Sequence, residues 1–253
     1  MCVTLKGVFE KVKAAHLRED WREVLKWEGR MEELMEMQTD EVCRNILAVF
    51  ANAHLGAFSS TGSRDNSLSI VRLGTRRIDL LGKMQRFRDQ GEMLCRVADH
   101  FLMLDDQQEA EGHFLRARKI AEAHGFFSVE CLSCLGLGKL AMAGGREEEG
   151  VELLRNALVC VPLCEEGNTI MEVNVLFRFT DALFCKNAID EVEPLVARYR
   201  EAAEAYSVKE GRLTYWSFHS RYMSARLHEV LCTCTPRVGP PSHCSALASH
   251  QGR

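Results

Sequence analysis

Residues Gly91 to Ala117 read GEMLCRVADHFLMLDDQQEAEGHFLRA, and forty residues later Cys131 to Ala157 read CLSCLGLGKLAMAGGREEEGVELLRNA. The two stretches align without a gap. Leu94, Val97, Ala98, Phe101, Asp105, Ala110, Phe114 and Ala117 stand opposite Cys134, Leu137, Gly138, Ala141, Gly145, Gly150, Leu154 and Ala157. Apolar or small residues recur at three- and four-residue steps, a polar break follows, and the rhythm returns. Each stretch is therefore expected to fold as a helical hairpin. Asp105-Asp106 sits at the first break, where a short carboxylate caps the next helix. Gly144-Gly145 makes the second turn and leaves Glu147, Glu148 and Glu149 at the positive end of the helix that follows. Small residues at Ala98 and Gly138, and at Ala110 and Gly150, let the two backbones of a hairpin approach closely. Ala117 and Ala157 do the same towards the neighbouring unit.

Weaker copies flank this pair. Val173 to Tyr199 carries Leu176, Phe179, Leu183, Val192 and Val196 at matching offsets, with Asn187 in the turn and Pro194 assigned to the first turn of the second helix. Leu213 to Leu231 reads as one more first helix. Leu5 to Met37 reads as a hairpin broken near Arg18-Glu19-Asp20, with Val8, Val12, Val24, Leu25 and Leu34 inward. Thr39 to Phe58 and Ser67 to Phe87 form another, joined by a mobile surface loop, Ser59 to Asn66. The expected organisation is one helical repeat domain over residues 1–231 and a disordered tail over 232–253, where Pro, Ser, Gly and Cys replace the helical rhythm. The tail begins where a covering second helix is due, so the array is expected to lack its usual end.

Composition agrees with helix and narrows the function. The 253 residues are 46% hydrophobic and 27% charged, which supplies a sizeable core. Proline is absent before Pro162, as helices require. The start, Met1 to Lys6, has no signal-peptide core, and no apolar run nears the roughly 20 residues that span a bilayer. A cytoplasmic protein without membrane insertion is expected. A net charge of −4 without a dense basic run argues against nucleic acid as a partner.

The paired stretches resemble the tetratricopeptide repeat, with Leu137, Gly138, Leu154, Ala157, Leu158 and Pro162 at its signature places. Cys134 and Ala141 stand where the repeat usually has aromatics. The period of forty is similar to the longer variant of kinesin light chain and rapsyn, with a second helix prolonged through Arg118 to His124 and stopped at Gly125. The best-defined repeats are 91–124 and 131–164. The resemblance implies an all-α solenoid of antiparallel hairpins wound as a right-handed superhelix. It also implies a non-catalytic scaffold that binds a peptide or amphipathic helix on a concave face lined by the first helices. The residues at the groove offsets are Glu92, Cys95, Asp99 and Leu102; Leu132, Leu135, Lys139 and Met142; Asn174, Phe177, Asp181 and Phe184. Cys95, Asp99, Leu135, Lys139, Met142, Phe177, Arg178, Asp181 and Phe184 are the expected partner contacts. Asp99 stands where chaperone-tail clamps keep a group that accepts a carboxylate, so that ligand is disfavoured. Permanent incorporation in a larger complex is one alternative, and a cysteine-based redox or zinc-dependent function is the other.

The motifs with chemical potential carry weaker readings. Gly136-Leu137-Gly138-Lys139-Leu140-Ala141 has the letters of a dinucleotide turn, but that turn needs a strand before it and a helix start within it. Here the motif falls inside one expected helix, so no cofactor is assigned. Cys131, Cys134, Cys160 and Cys164 are expected at one end of a hairpin, as buried core thiols, a redox pair or a tetrahedral zinc site, in that order. His100, His113 and His124 lack metal-pair spacing, and no catalytic set is marked.

Overall fold

In the computed structural model, which describes residues 5–18, 20–35, 39–61, 64–164, 169–211 and 214–234, the chain is a succession of helices packed in adjacent pairs, with no strand among the described residues. The amino-terminal segment holds α1 (Leu5–Leu17), α2 (Trp21–Leu25) and α3 (Glu28–Met35). Four hairpins follow: α4 (Asp40–Thr61) with α5 (Arg64–Lys83), α6 (Phe87–Met103) with α7 (Gln107–His124), α8 (Phe127–Ala143) with α9 (Glu147–Cys160), and α10 (Thr169–Cys185) with α11 (Ile189–Glu210). Last comes α12 (Tyr215–Cys234). The bounds of α6 and α8 differ by the forty residues of the sequence repeat.

A half-period lies beneath that repeat. Gln85, Asp105, Gly125 and Gly145 take left-handed backbone conformations, with φ of 56, 64, 72 and 72°, twenty residues apart. Each follows a helix end and turns the chain into the next helix. At Asp105 the amide donates to Leu102 O at 3.1 Å and the Asp106 amide to Phe101 O at 2.9 Å; at Gly145 the pairs are Met142 at 3.2 Å and Arg146 to Ala141 at 2.8 Å. Orphan carbonyls at the helix end are satisfied in this way. Asn187, with φ of 56°, makes the same turn between α10 and α11. Asp106 then caps α7, its carboxylate accepting from the Glu109 amide at 3.2 Å. Pro162 ends α9 as expected, within a single 3-10 turn, Val161–Leu163.

Two apolar clusters follow from this layout. Val8, Val12, Ala15 and Val24 pack on Ile46, Leu47, Phe50, Ala53 and Leu73, joining the amino-terminal segment to the first hairpin. The larger cluster runs from Ile78 to Leu227, and includes Leu176, Phe179, Leu183, Val192 and Val196 of the third copy. The small positions are sites of close approach. A Cβ on Gly138 would lie 2.8 Å from Leu154 Cγ, and one on Gly150 would lie 2.7 Å from Met142 Sδ. One on Gly136 would lie 2.2 Å from the ring of Phe114, so that ring rests on the bare backbone of the next unit. Thr180 holds the corresponding small position of the third unit, and its buried hydroxyl has no hydrogen-bond partner.

Three local expectations are corrected. Ser59, Ser60 and Thr61 belong to α4, and Arg64, Asp65 and Asn66 to α5, so no long loop separates them. Their polar neighbourhood has buried uses: Asn66 meets His54 at 3.0 Å and Ser67 meets His100 at 3.3 Å. Pro194 lies inside α11, beyond its first turn, where it removes one helix bond on an exposed face. The last helix extends to Cys234, past the expected start of the tail at residue 232. The tail from Thr235, with Glu19, Met37, Gly62, Ser63 and Leu213, lies outside the described residues, as does the side chain of Leu34.

The same substitution should have opposite signs at two glycines. Gly136→Ala, which drives a methyl into Phe114, is expected to destabilise by about 1–2 kcal/mol net of helix propensity. Gly112→Ala in α7, with open space around its Cβ, should stabilise by roughly 0.5–1 kcal/mol. Urea unfolding followed by helical circular dichroism measures both. At the left-handed position, Gln85→Gly should raise the midpoint by the equivalent of about 0.5–1 kcal/mol.

Candidate functional site

The first helices α6, α8, α10 and α12 form a face whose polar residues pair between units. Lys139 Nζ of α8 donates to Asp99 Oδ1 of α6 at 3.2 Å. Two units on, Arg226 of α12 stands 3.9 Å from Asp181 of α10. Negative and positive charge thus alternate along equivalent positions of four successive first helices. All four side chains are partly exposed, so water screens the pairs and each contributes at most about 1 kcal/mol.

The apolar groove residues are placed differently from expectation. Cys95, Leu135 and Phe184 are buried. Met142 turns towards its own hairpin partner, its sulfur against Gly150. Phe177 is half-buried in an aromatic group, with ring centroids 4.5 Å from His219 and 5.3 Å from Trp216. The Arg226 guanidinium covers the Phe184 ring at 4.6 Å, while that of Arg178 lies over Phe177 at 4.7 Å. For Phe177 and Phe184 the physical reason is shared: α10 offers its groove-side stripe to α12, whose Trp216, His219 and Arg226 fill the gap. Aspartate at Phe184 would therefore break the α10–α12 joint rather than probe a free surface.

What α12 adds was not foreseen. Tyr215, His219 and Tyr222 share a stripe with Arg226, at steps of four, three and four. Tyr215 and Tyr222 are 63% and 60% exposed. His219 lies between them, with ring centroids 5.7 and 5.8 Å away, and its Nδ1 is 3.3 Å from the Tyr199 hydroxyl. Burial, helped by the Arg178 charge and opposed by Asp181, lowers the proton affinity of His219. The sequence signal was available: aromatic residues at helical spacing ending in an arginine, on the last helix of the array.

The cysteine cluster has the bland geometry. Cys131, Cys134 and Cys160 are buried and Cys164 is half-buried. The Cys131 thiol donates to Ala157 O at 3.3 Å and that of Cys164 to Cys160 O at 3.3 Å. Burial pushes the Cys134 thiol up to about 11 and Cys160 up to about 12, and raises Cys131 and Cys164 as well. Such thiols remain protonated near neutrality and make poor nucleophiles. Among the described residues, no group of three or more His, Cys, Asp or Glu side chains is placed to hold a metal ion. The Gly136-x-Gly138 motif lies in the middle of α8, where its glycines admit Phe114 and Leu154. The three noted histidines have local partners: His100 meets Ser67, His113 donates to Glu109 O at 2.9 Å, and His124 stacks on Phe87 at 4.4 Å.

No family model and no curated protein matches the sequence. Solved structures do match the fold. The chain superposes with a TM-score of 0.65 and 13% identity on a Pyrococcus horikoshii signal transduction ATPase with numerous domains that carries a tetratricopeptide repeat sensor. That match covers 90% of this chain but 36% of the other. Two structures of kinesin light chain nearly identical TPR-like repeats from Podospora anserina match with TM-scores of 0.56 and 0.54, each at 15% identity. They cover 80% and 78% of this chain and 96% and 94% of theirs. The fold is a tetratricopeptide-like helical repeat solenoid, as the repeat resemblance implied.

Thiol titration of the native chain should find Cys185, which is exposed, reacting at once with a disulfide reagent. Cys95, Cys131, Cys134 and Cys160 should react only in denaturant, a difference read by mass mapping of the labelled peptides.

Proposed function

We propose that the chain is a non-catalytic protein-interaction scaffold that receives a peptide or amphipathic helix along the face of α6, α8, α10 and α12. The observation that carries this reading is the exposed aromatic and arginine surface at its α10–α12 end. Tyr215 and Tyr222 expose large rings whose positions are set by Trp216, His219 and Phe177 behind them, and Arg178 and Arg226 lie alongside. Tyrosine and arginine give much contact area for little lost side-chain freedom, which is why they dominate binding hot spots. Asp99 and Lys139 extend the same face with paired charge that fixes register more than affinity. The partner contacts are thus Asp99, Lys139, Phe177, Arg178 and Asp181 of the expected set, joined by Tyr215, His219 and Tyr222. Cys95, Leu135, Met142 and Phe184 support this face from beneath. A cytoplasmic location and the absence of nucleic-acid binding go with the reading, as does the lack of any described helix long and apolar enough to cross a membrane.

The alternative, a permanent subunit of a larger complex, is favoured by a different surface. Val208, near the end of α11, is 82% exposed. In a stack of hairpins a further helix would cover this side.

One experiment separates the two. The full chain and two variants, Tyr215→Ser/Tyr222→Ser and Val208→Ser, are used for affinity capture, with helical circular dichroism confirming the fold of each. Loss of at least about tenfold of a bound protein with the tyrosine variant alone supports the groove reading, since removing a hot spot costs about 2 kcal/mol or more. Loss with Val208→Ser alone supports the fixed subunit.

A further inference from the structure

Away from this face, four polar side chains from three helices meet beneath the amino-terminal segment. Glu28 is the first residue of α3, His54 lies in α4, and Asn66 and Arg72 lie in α5. His54 is buried. Its Nε2 is 2.9 Å from Glu28 Oε2, and its Nδ1 is 3.0 Å from Asn66 Oδ1. The second oxygen of Glu28 accepts from Arg72 at 2.5 Å. An oxygen facing each ring nitrogen is satisfied when both nitrogens carry protons, which is the imidazolium form. With one proton gone, a lone pair of the buried ring faces an oxygen, and that costs a hydrogen bond.

We propose that this group is a proton-operated latch: protonated His54 holds α3, and with it α1 and α2, on the α4–α5 hairpin, and loss of the proton frees that segment. The segment is not a passive extension. Val8, Val12, Ala15 and Val24 cover the apolar side of α4, so its release uncovers Ile46, Leu47 and Phe50 at the amino-terminal end of the array. Trp27, next to Glu28, is held from α1 by the Lys11 ammonium 5.1 Å from its ring, so α1 to α3 move as linked pieces.

The charged groups acting on His54 are Glu28 from α3 and Arg72 from α5, with the Asn66 amide as its other contact. Burial disfavours the charged ring and Arg72 repels it. Hydrogen bonds to Glu28 and Asn66, together with the Glu28 charge, outweigh both and raise its proton affinity above the ordinary 6.5. Burial likewise opposes ionisation of Glu28, but His54 and Arg72 outweigh it and hold the carboxylate below its ordinary 4.5. The signs then give a window. The His54 contribution is complete below about 6.5 and is lost as pH rises through the higher folded value; the Glu28 contribution is complete above about 4.5 and is lost in stronger acid. The latch is shut in mild acid and opens as pH rises through the folded value of His54, above 6.5.

The test uses the full chain and two readouts. Imidazole titration by nuclear magnetic resonance should place the His54 midpoint above 6.5. Hydrogen exchange between pH 6 and 8.5, corrected for intrinsic rates, should show protection in α1 to α3 falling by more than about twofold across that midpoint. Protection in α8 should change less than about twofold, a difference of under half a kcal/mol. His54→Gln should abolish the step, and Glu28→Gln should lower the midpoint. A midpoint at or below 6.5, as a turned-over Asn66 amide serving a neutral ring would produce, overturns the proposal. So does an equal loss of protection in α8, or a step that survives in His54→Gln. Should that variant not fold, Glu28→Gln decides by its midpoint.

Discussion

The ring of Phe114 rests on the bare backbone of Gly136, and this contact between one hairpin and the next represents what the whole structure depends on. A helical hairpin leaves half its apolar surface uncovered, and only a neighbour of the same shape covers it. The approach must be close, because packing at the density of a protein interior leaves no room for an extra methyl between the helices. Gly138 against Leu154 and Gly150 against Met142 repeat the constraint within a hairpin, and Gly74 against Val97 and Gly91 against Val129 extend it along the array. The turns serve the same end. A left-handed residue every twenty positions reverses the chain after a fixed number of helical turns, so the small residues of successive helices come level.

The constraint also shapes the surface. Groove-side apolar residues are drawn inward by their neighbours, so the exposed part of this face carries charge, paired between α6 and α8 and between α10 and α12. On α12 exposed tyrosines join it, over a base of Phe177, Trp216 and His219. The amino-terminal segment is joined differently, packing on the first hairpin through an apolar cluster and one charged group, Glu28 with His54 and Arg72.

Much of this was legible from residue order. The forty-residue repeat, the turns at Asp105 and Gly145, the stops at Gly125 and Pro162 and the inward residues of the third copy all appear as read, because each depends on local chemistry: a cap, a left-handed position, a missing amide or a helical period. The run Ser59 to Asn66 misled for the complementary reason. Its composition is that of a surface turn, but Asn66 and the adjacent Ser67 have partners 12 and 33 residues away in sequence, on other helices, and composition does not register them. The thiol of Cys134 was legible as a core substitute, since its place in the repeat is an interior one.

By itself the sequence determined that the chain is helical, where its helices turn, and that hairpins of one kind stack; periodicity and turn chemistry act over a few residues and are written in order. Only the tertiary structure decided which residues of the first-helix stripe face outward. Asp99, Lys139 and Phe177 share that stripe with Cys95, Leu135 and Phe184, and nothing local distinguishes them. Exposure depends on the gap to the next helix and on the length of the side chain that crosses it, as Arg226 crosses to cover Phe184. The meeting of Glu28, His54 and Arg72 was hidden for the same reason, since a charge is paired by folding and not by its neighbours in the chain.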